Sequence, residues 1–238
     1  QIVQMRFGLG GRPEKTQKEV AQKLRQITAE IDATTYVAPC KLSISEWMSI
    51  WAQDCLVGVK ASTAYLYRRT IELYIDPHLG HIRLDALNAH AGQHFYNELA
   101  KPSKPDAAPL SAKSIKNIHG VLHKALKQAV LIGYLRTNPT EACILPRIIR
   151  KEMHPLEEDQ VAVFLREVQG HPHEYLYKIA LFTGLREGEV LGLGWEHIDF
   201  QAGTLTVKRQ LRREQKKGGG YYFSPPKNNK SRCLTLAP

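Results

Sequence analysis

The sequence predicts a multidomain fold: a mainly α helical bundle, followed by the first part of an α+β unit. Three observations carry this. Apolar residues recur at helical spacing from about residue 43 to 131 with little strand-like alternation; a segment bounded by prolines and rich in charge follows; and period-two alternation starts only after about residue 198.

Residues 1–11, QIVQMRFGLGG, alternate weakly and end in glycines, as a last strand and its turn would. From Pro13 to about Ala33, Val20, Leu24, Ile27 and Ile31 recur at helical spacing. One strand and one helix cannot bury a core, so 1–35 reads as the end of a small module.

The second unit, 36–147, is expected to be helical throughout. Ser43 or Ser45 can cap a helix carrying Trp47, Ile50 and Trp51. Ser62 can cap another, whose Tyr67, Ile71 and Tyr74 share a face before Pro77 stops it. HLGHIRLDAL is a connector, HAGQHFYNELA a short helix and KPSKPDAAP a loop. The clearest helix runs from Ser111 to about Leu131. At ~100° per residue, Ile115, Ile118, Leu122, Ala125, Leu126 and Ala129 fall on one side, with Lys113, Lys116, Lys124 and Lys127 opposite. That lysine stripe is either a plain solvated face or a row of phosphate contacts, each adding ~0.9 to the log-log salt dependence of binding.

CILPRIIRKEMHP, with four charges between its two outer prolines, is an interdomain linker. The third unit, 148–238, opens with a helix carrying Val161, Phe164, Leu165 and Val168, then one from about His173 to Phe182. IDFQAGTLTVKRQ reads strand, glycine turn, strand; SRCLTLAP reads as a third strand after a glycine-rich, lysine-bearing loop.

Composition narrows the partners. Of 238 residues, 43% are hydrophobic and 24% charged, an ordinary globular balance. Thirty-three Lys and Arg against 23 Asp and Glu give a formal charge of +10, which favours a polyanion such as nucleic acid, with a merely solubilising surface as the alternative. Cys40, Cys55, Cys143 and Cys233 form no C-x-x-C pair and have no histidine at ligand spacing, so they read as reduced thiols without metal. No run approaches the ~18 apolar residues of a membrane span, and no charged-then-apolar leader opens the chain, so the cytoplasm is expected and no membrane partner is. The start at Gln1 and the stop at Pro238, directly after Leu234-Thr-Leu236, lead us to expect that both ends are cut.

The stretch LFTGLREGEVLGLGWEHIDF, 181–200, sets charge between two apolar runs. Thr183-Gly184 ends one helix, because glycine most easily takes the left-handed position after a helix. A short helix then resumes, with Arg186 and Glu189 three apart on one face and Leu185, Val190, Leu191 and Leu193 turned inward. The alternatives are a packed corner that fixes an arginine against a carboxylate, and an exposed ion pair of about 0.3 kcal/mol.

TGLREGEVLGLGWEHID resembles the first arginine motif of the tyrosine recombinases, or phage-type integrases: T-G-x-R-x-x-E-x-x-x-L-x-W-x-D-I-[DN]. Seventeen consecutive residues fit, with His197 where Asp is common. KLSISEWMSIW, TAYLYRRTIELYIDPHLGHIRLDAL, LSAKSIKNIHGVLHKALKQAV and NPTEACILP resemble the helical core-binding domain of integrases from conjugative transposons and temperate phages. The resemblance implies that 1–35 is part of an arm-DNA-binding module, 36–147 a core-DNA-binding domain and 148–238 the N-terminal part of an α+β catalytic domain.

It also implies chemistry. A tyrosine attacks a phosphodiester of double-stranded DNA to give a 3′-phosphotyrosyl link, which retains the bond's energy, so no cofactor or metal is needed. Arg186 matches the guanidinium that stabilises charge on the non-bridging oxygens, and Glu189 its acidic partner. In FSPPKNNKSRCLTL the K-x-x-K-x-R pattern resembles the turn whose lysine protonates the leaving 5′-oxygen; Lys227 aligns best, with Lys230 the alternative. Lys113, Lys116, Lys124 and Lys127 would contact DNA, and a homotetramer on two sites is implied. The family's His-x-x-Arg motif and nucleophilic tyrosine have no counterpart here, and Tyr221 and Tyr222 precede the lysines in the wrong order. The 238 residues are thus expected to bind DNA without cutting it; a non-catalytic DNA-binding regulator derived from a recombinase is the rival reading.

Overall fold

The computed structural model describes residues 21–25, 28, 40–102, 108–214, 218–227 and 229–236. The strand and turn expected over 1–11 lie outside them; of the helix expected over 13–33, 21–25 and 28 are described and are helical. The chain divides into two compact units, Gln1–Arg150 and Lys151–Pro238. The first is a helical bundle and the second a small α+β assembly. Residues 143–157 form no helix or strand.

In the first unit, α1 (Ile44–Asp54) starts at Ser43. Its hydroxyl accepts from the Glu46 N–H at 3.2 Å while the Glu46 carboxylate accepts from the Ser43 N–H at 2.7 Å. This reciprocal cap satisfies two orphan donors and selects Ser43 over Ser45. Ile44, Trp47, Met48 and Trp51 are buried at helical spacing, whereas Ile50 stands exposed on the flank. α2 (Ala61–Thr70) begins after Lys60, so Ser62 sits inside the helix and not at its cap.

Pro77 does not stop this helix. The chain widens into a π turn over Ile71–Ile75 and continues as α3 (Asp76–Leu79). Pro77 has no N–H to offer the Leu73 carbonyl four residues back and its ring crowds that carbonyl; the Asp76 N–H instead reaches Ile71 O, five residues back, and makes room.

α4 (Ala89–Leu99) is capped by Asn88, whose Oδ1 accepts from Ala91 N–H at 2.9 Å. α5 (Ala112–Leu131) is capped by Ser111 and buries Ile115, Ile118, Val121, Leu122, Ala125, Leu126 and Ala129. α1 is pinned to it by the Trp47 indole N–H, which donates to the Ala125 carbonyl at 3.1 Å, and Tyr134 packs edge-on to Trp47. The opposite face of α5 carries the four lysines, all exposed.

In the second unit, α6 (Glu158–Glu167) and α7 (Glu174–Thr183) precede the short α8 (Glu187–Val190). β1 (Ile198–Asp199) and β2 (Thr204–Val207) flank a turn at Gly203. β3 (Gln210–Arg213), β4 (Tyr221–Ser224) and β5 (Arg232–Thr235) follow. The order is β1-β2-β5 in one antiparallel sheet, with β3 and β4 forming a separate ribbon. In the sheet Leu205 lies opposite Leu234 and Val207 opposite Arg232. In chain order the β3–β4 ribbon is inserted between the paired strands β2 and β5. Part of the expected glycine-rich loop is therefore strand, Tyr221 facing Arg213 and Tyr222 facing Arg212.

Leu185, Leu205 and Val207 form the small core, with Val190, Leu193, Ile198, Leu234 and Leu236 against it. Leu191, expected inside, is 43% exposed. α8 ends at Val190, and the chain turns at Gly192 to approach β3, which carries the Leu191 side chain away from the sheet.

Candidate active site

The α7–α8 corner is built by small residues at close approaches. Gly184 takes a left-handed φ of 63° and ends α7. A side chain on Gly188 would meet the Leu211 carbonyl at 2.9 Å, and one on Gly192 would meet the Gln210 Cα at 2.8 Å. Only glycine lets α8 lie this close to β3. Buried Leu185 anchors the turn beneath.

Arg186 occupies the cap position of α8 with extended backbone, φ −72° and ψ 151°. Glu189, one turn later, folds back: its Oε2 accepts from the Arg186 backbone N–H at 3.0 Å and its Oε1 from Arg186 Nη1 at 3.1 Å. Both carboxylate oxygens also accept from Arg232 of β5, Oε1 from Nη1 at 2.9 Å and Oε2 from Nη2 at 2.6 Å. The Glu189 side chain is only 2% exposed, against 69% for Arg186 and 37% for Arg232. Hydrogen bonding to Arg232 leads in drawing the Glu189 carboxyl down to about 2, outweighing burial, which pushes it up. It is an anion at any physiological pH.

The lysine turn hangs from this corner by both ends. Before Lys227, the Gln210 side-chain amide of β3 donates to the Pro225 carbonyl at 2.6 Å. Between the lysines, Asn229 takes a positive φ of 54° and its N–H returns to the Pro226 carbonyl at 2.9 Å. After Lys230, Arg232 is held by Glu189. Lys227 and Lys230 are both exposed.

Two residues outside the expected set complete the frame. Arg209 donates through Nε to the Gly192 carbonyl at 2.9 Å, pairs with Glu196 at 3.0 Å and lies over the Phe223 ring at 4.4 Å, so it ties corner to ribbon. His197, the departure from the motif, is 8% exposed and its Nδ1 accepts from the Gly194 N–H at 3.2 Å. An acceptor there is what the turn requires, and an imidazole carrying its proton on Nε2 provides it. Arg232 stands in the K-x-x-K-x-R pattern, and its bidentate spacing to a carboxylate 43 residues upstream is a tertiary fact with no local signal. Arg209 has no signal beyond its charge.

In the first unit, Lys113, Lys116, Lys124 and Lys127 line one exposed side of α5, with Lys124 Nζ lying 5.4 Å from the Tyr67 ring centroid. Among the described residues no group of three His, Cys, Asp or Glu side chains is placed to hold a metal, and no helix is long and apolar enough to cross a membrane.

Comparison with known proteins finds similar sequences and folds. Residues 43–100 match the phage integrase N-terminal SAM-like domain. The chain is 27% identical over 207 residues to a tyrosine recombinase XerC-like protein of Caldanaerobacter subterraneus subsp. tengcongensis, covering 84% of this chain and 51% of that protein. It is 24% identical over 220 residues to an integrase of Saccharopolyspora erythraea, covering 89% and 49%. The chain thus spans about half the length of the curated relatives it matches. In fold it is similar to the Tn1549 transposon integrase in complex with transposon right end DNA, with a TM-score of 0.72 at 24% identity over 82% of this chain and 61% of that one. It is also similar to a lambda integrase dimer bound to a core site, with a TM-score of 0.61 at 19% identity over 94% and 56%. In fold, the helical unit and the α+β unit that follows it are similar to parts of these integrases, and the matched family model and relatives are those of phage integrases and tyrosine recombinases.

Proposed function

We propose that this chain is part of a site-specific DNA recombinase that breaks and rejoins duplex DNA through a 3′-phosphotyrosyl intermediate. The observation that supports it most is the pair of arginines gathered on one buried carboxylate beside a tethered lysine turn. A phosphodiester under attack gathers charge on its non-bridging oxygens, and a pre-placed guanidinium stabilises that charge without reorganising. In this reading Arg186 holds the scissile phosphate, Glu189 fixes Arg186, and Lys227 protonates the leaving 5′-oxygen, with Lys230 as the alternative donor. No tyrosine of residues 1–238 is assigned as the nucleophile, and no cofactor is required.

Residues 36–147 act as the core-DNA-binding domain, 148–238 as the N-terminal part of the catalytic domain, and 1–35 as part of an arm-binding module. Lys113, Lys116, Lys124 and Lys127 contact the backbone. Duplex DNA is the partner, a homotetramer on two sites the working assembly, and the cytoplasm the location. Support comes from relatives named as integrases, from solved similar folds in complex with DNA, and from a lambda integrase tetramer bound to a Holliday junction.

The test is a nicked suicide duplex offered to the protein expressed from the gene that carries this segment. A covalent protein–DNA adduct that disappears in Arg186→Ala while duplex binding persists supports the reading. Salt-dependent binding with no adduct under any condition would replace it with a non-catalytic DNA-binding protein.

A further inference from the structure

Glu189 is shared in a lopsided way. Its carboxylate offers about four lone-pair directions. Arg232 takes one on each oxygen, as a planar fork meeting a planar acceptor, at 2.9 and 2.6 Å. Arg186 takes the rest through its backbone N–H at 3.0 Å and a single guanidinium nitrogen at 3.1 Å. The side chain nearest the proposed phosphate therefore has the weaker claim on the anion, and the strand residue behind it the stronger one.

Charge makes this division matter. A lone Arg–Glu pair in fork-to-fork geometry is nearly neutral at a distance and offers a phosphate little. Two guanidiniums on one carboxylate leave a unit of positive charge, and the exposures place it: Arg186 is 69% exposed, Arg232 37% and Glu189 2%. A buried carboxylate is poor evidence of stabilisation in itself, since its desolvation offsets much of the Coulomb gain. Two arginines on such a group are better explained by what they present.

We propose that Arg232 is a positioning residue that, by occupying both oxygens of Glu189, keeps the Arg186 guanidinium turned outward with its charge available to a DNA phosphate. Without Arg232, two acceptor sites open on a buried anion, and Arg186, already held one turn away, is the donor that closes on them. The arginine then becomes bidentate to its own protein and is masked. Arg232 also fixes the start of β5, so the same contact sets the end of the turn that carries Lys227 and Lys230. This rests on the reading of Arg186 as the phosphate ligand.

The experiment follows the Arg186 Nε–Hε signal in nitrogen-15 spectra of the 238-residue chain, identified by its absence in R186K, as a mixed-sequence duplex DNA is added. In the wild type the signal shifts with DNA. R232A is expected to abolish the shift and weaken duplex affinity about fivefold, the loss of one charge-assisted contact. R232K, which supplies a point charge and no fork, falls between. The deciding variant is R232A/E189Q: removing the carboxylate's charge releases Arg186, so the shift returns and affinity recovers to within about twofold of E189Q. R232M keeps the aliphatic stem on the sheet, so a poorly folded R232A does not end the test. Wild-type behaviour in R232A and R232M, or a double variant no better than the single one, overturns the proposal. A wild-type Arg186 signal that DNA does not move overturns the phosphate reading itself, and this inference with it.

Discussion

Glu189 and Arg232 lie 43 residues apart in the chain and meet through two hydrogen bonds of 2.9 and 2.6 Å at a carboxylate only 2% exposed. That contact closes β5 onto α8. It joins the arginine motif to the lysine turn without any shared segment of sequence, and it gives the second unit a pH-dependent clasp.

The sign of that dependence follows from the depressed carboxyl. In the unfolded chain Glu189 titrates near its ordinary 4.5; in the folded chain it is held at about 2. The clasp therefore contributes fully above about pH 4.5 and is lost as pH falls from there toward about 2, on the order of 2 kcal/mol after allowing for the solvent around both guanidiniums. Urea unfolding of the second unit across this range should show the loss, and Glu189→Gln should flatten it. An unchanged acid slope in that variant would assign the dependence to other carboxylates.

In the first unit the titrating group is a histidine. His119 Nδ1 lies 2.9 Å from the Tyr96 hydroxyl, and burial, then His123 and Lys116, push His119 below its usual 6.5. The folded state favours the neutral ring while the unfolded chain binds a proton near 6.5. Stability is thus complete above about pH 6.5 and declines as pH falls below it through the lower folded value. Thermal unfolding between about pH 7.5 and 5 should show the decline, and His119→Gln should reduce it.

Trp47 joins packing to hydrogen bonding. It is 1% exposed, and its indole N–H reaches the Ala125 carbonyl across the bundle. Trp47→Phe should cost roughly 2 kcal/mol, from the lost hydrogen bond and the space left by the smaller ring. Equilibrium denaturation checks this; a cost below about 0.5 kcal/mol would mean the α1–α5 contact is held elsewhere.

What the sequence makes legible depends on the range of the interaction. The two faces of α5 could be read because helical geometry alone assigns them, and Ser43 and Ser111 announce their helices by local capping chemistry. Pro77 misleads because its cost is local but its remedy, a π turn, is set by the bundle that buries Ile71 and Ile75 at the two ends of that turn. Leu191 misleads because an apolar residue beside a buried turn need not share its face. In the site, the spacing of Arg186 and Glu189 predicted their contact. The contact of Arg232 with Glu189 depends on strand β5 pairing with β2, which no nearby residue encodes.

The lysine stripe has a quantitative test. Replacing Lys113, Lys116, Lys124 and Lys127 with glutamine should reduce the log-log salt slope of duplex binding by roughly 0.9 for each lysine that contacts a phosphate. Fluorescence anisotropy at a series of salt concentrations measures the slope. An unaltered slope would make the stripe a solvated face.

The most direct test of Arg186 as a phosphate ligand is an experimental structure of the chain bound to duplex DNA. The Arg186 guanidinium is expected at about 2.7–2.9 Å from a non-bridging phosphate oxygen, with Glu189 still gripped by Arg232. DNA lying against another face, with the Arg186 fork turned onto Glu189 and no phosphate within reach, would contradict it.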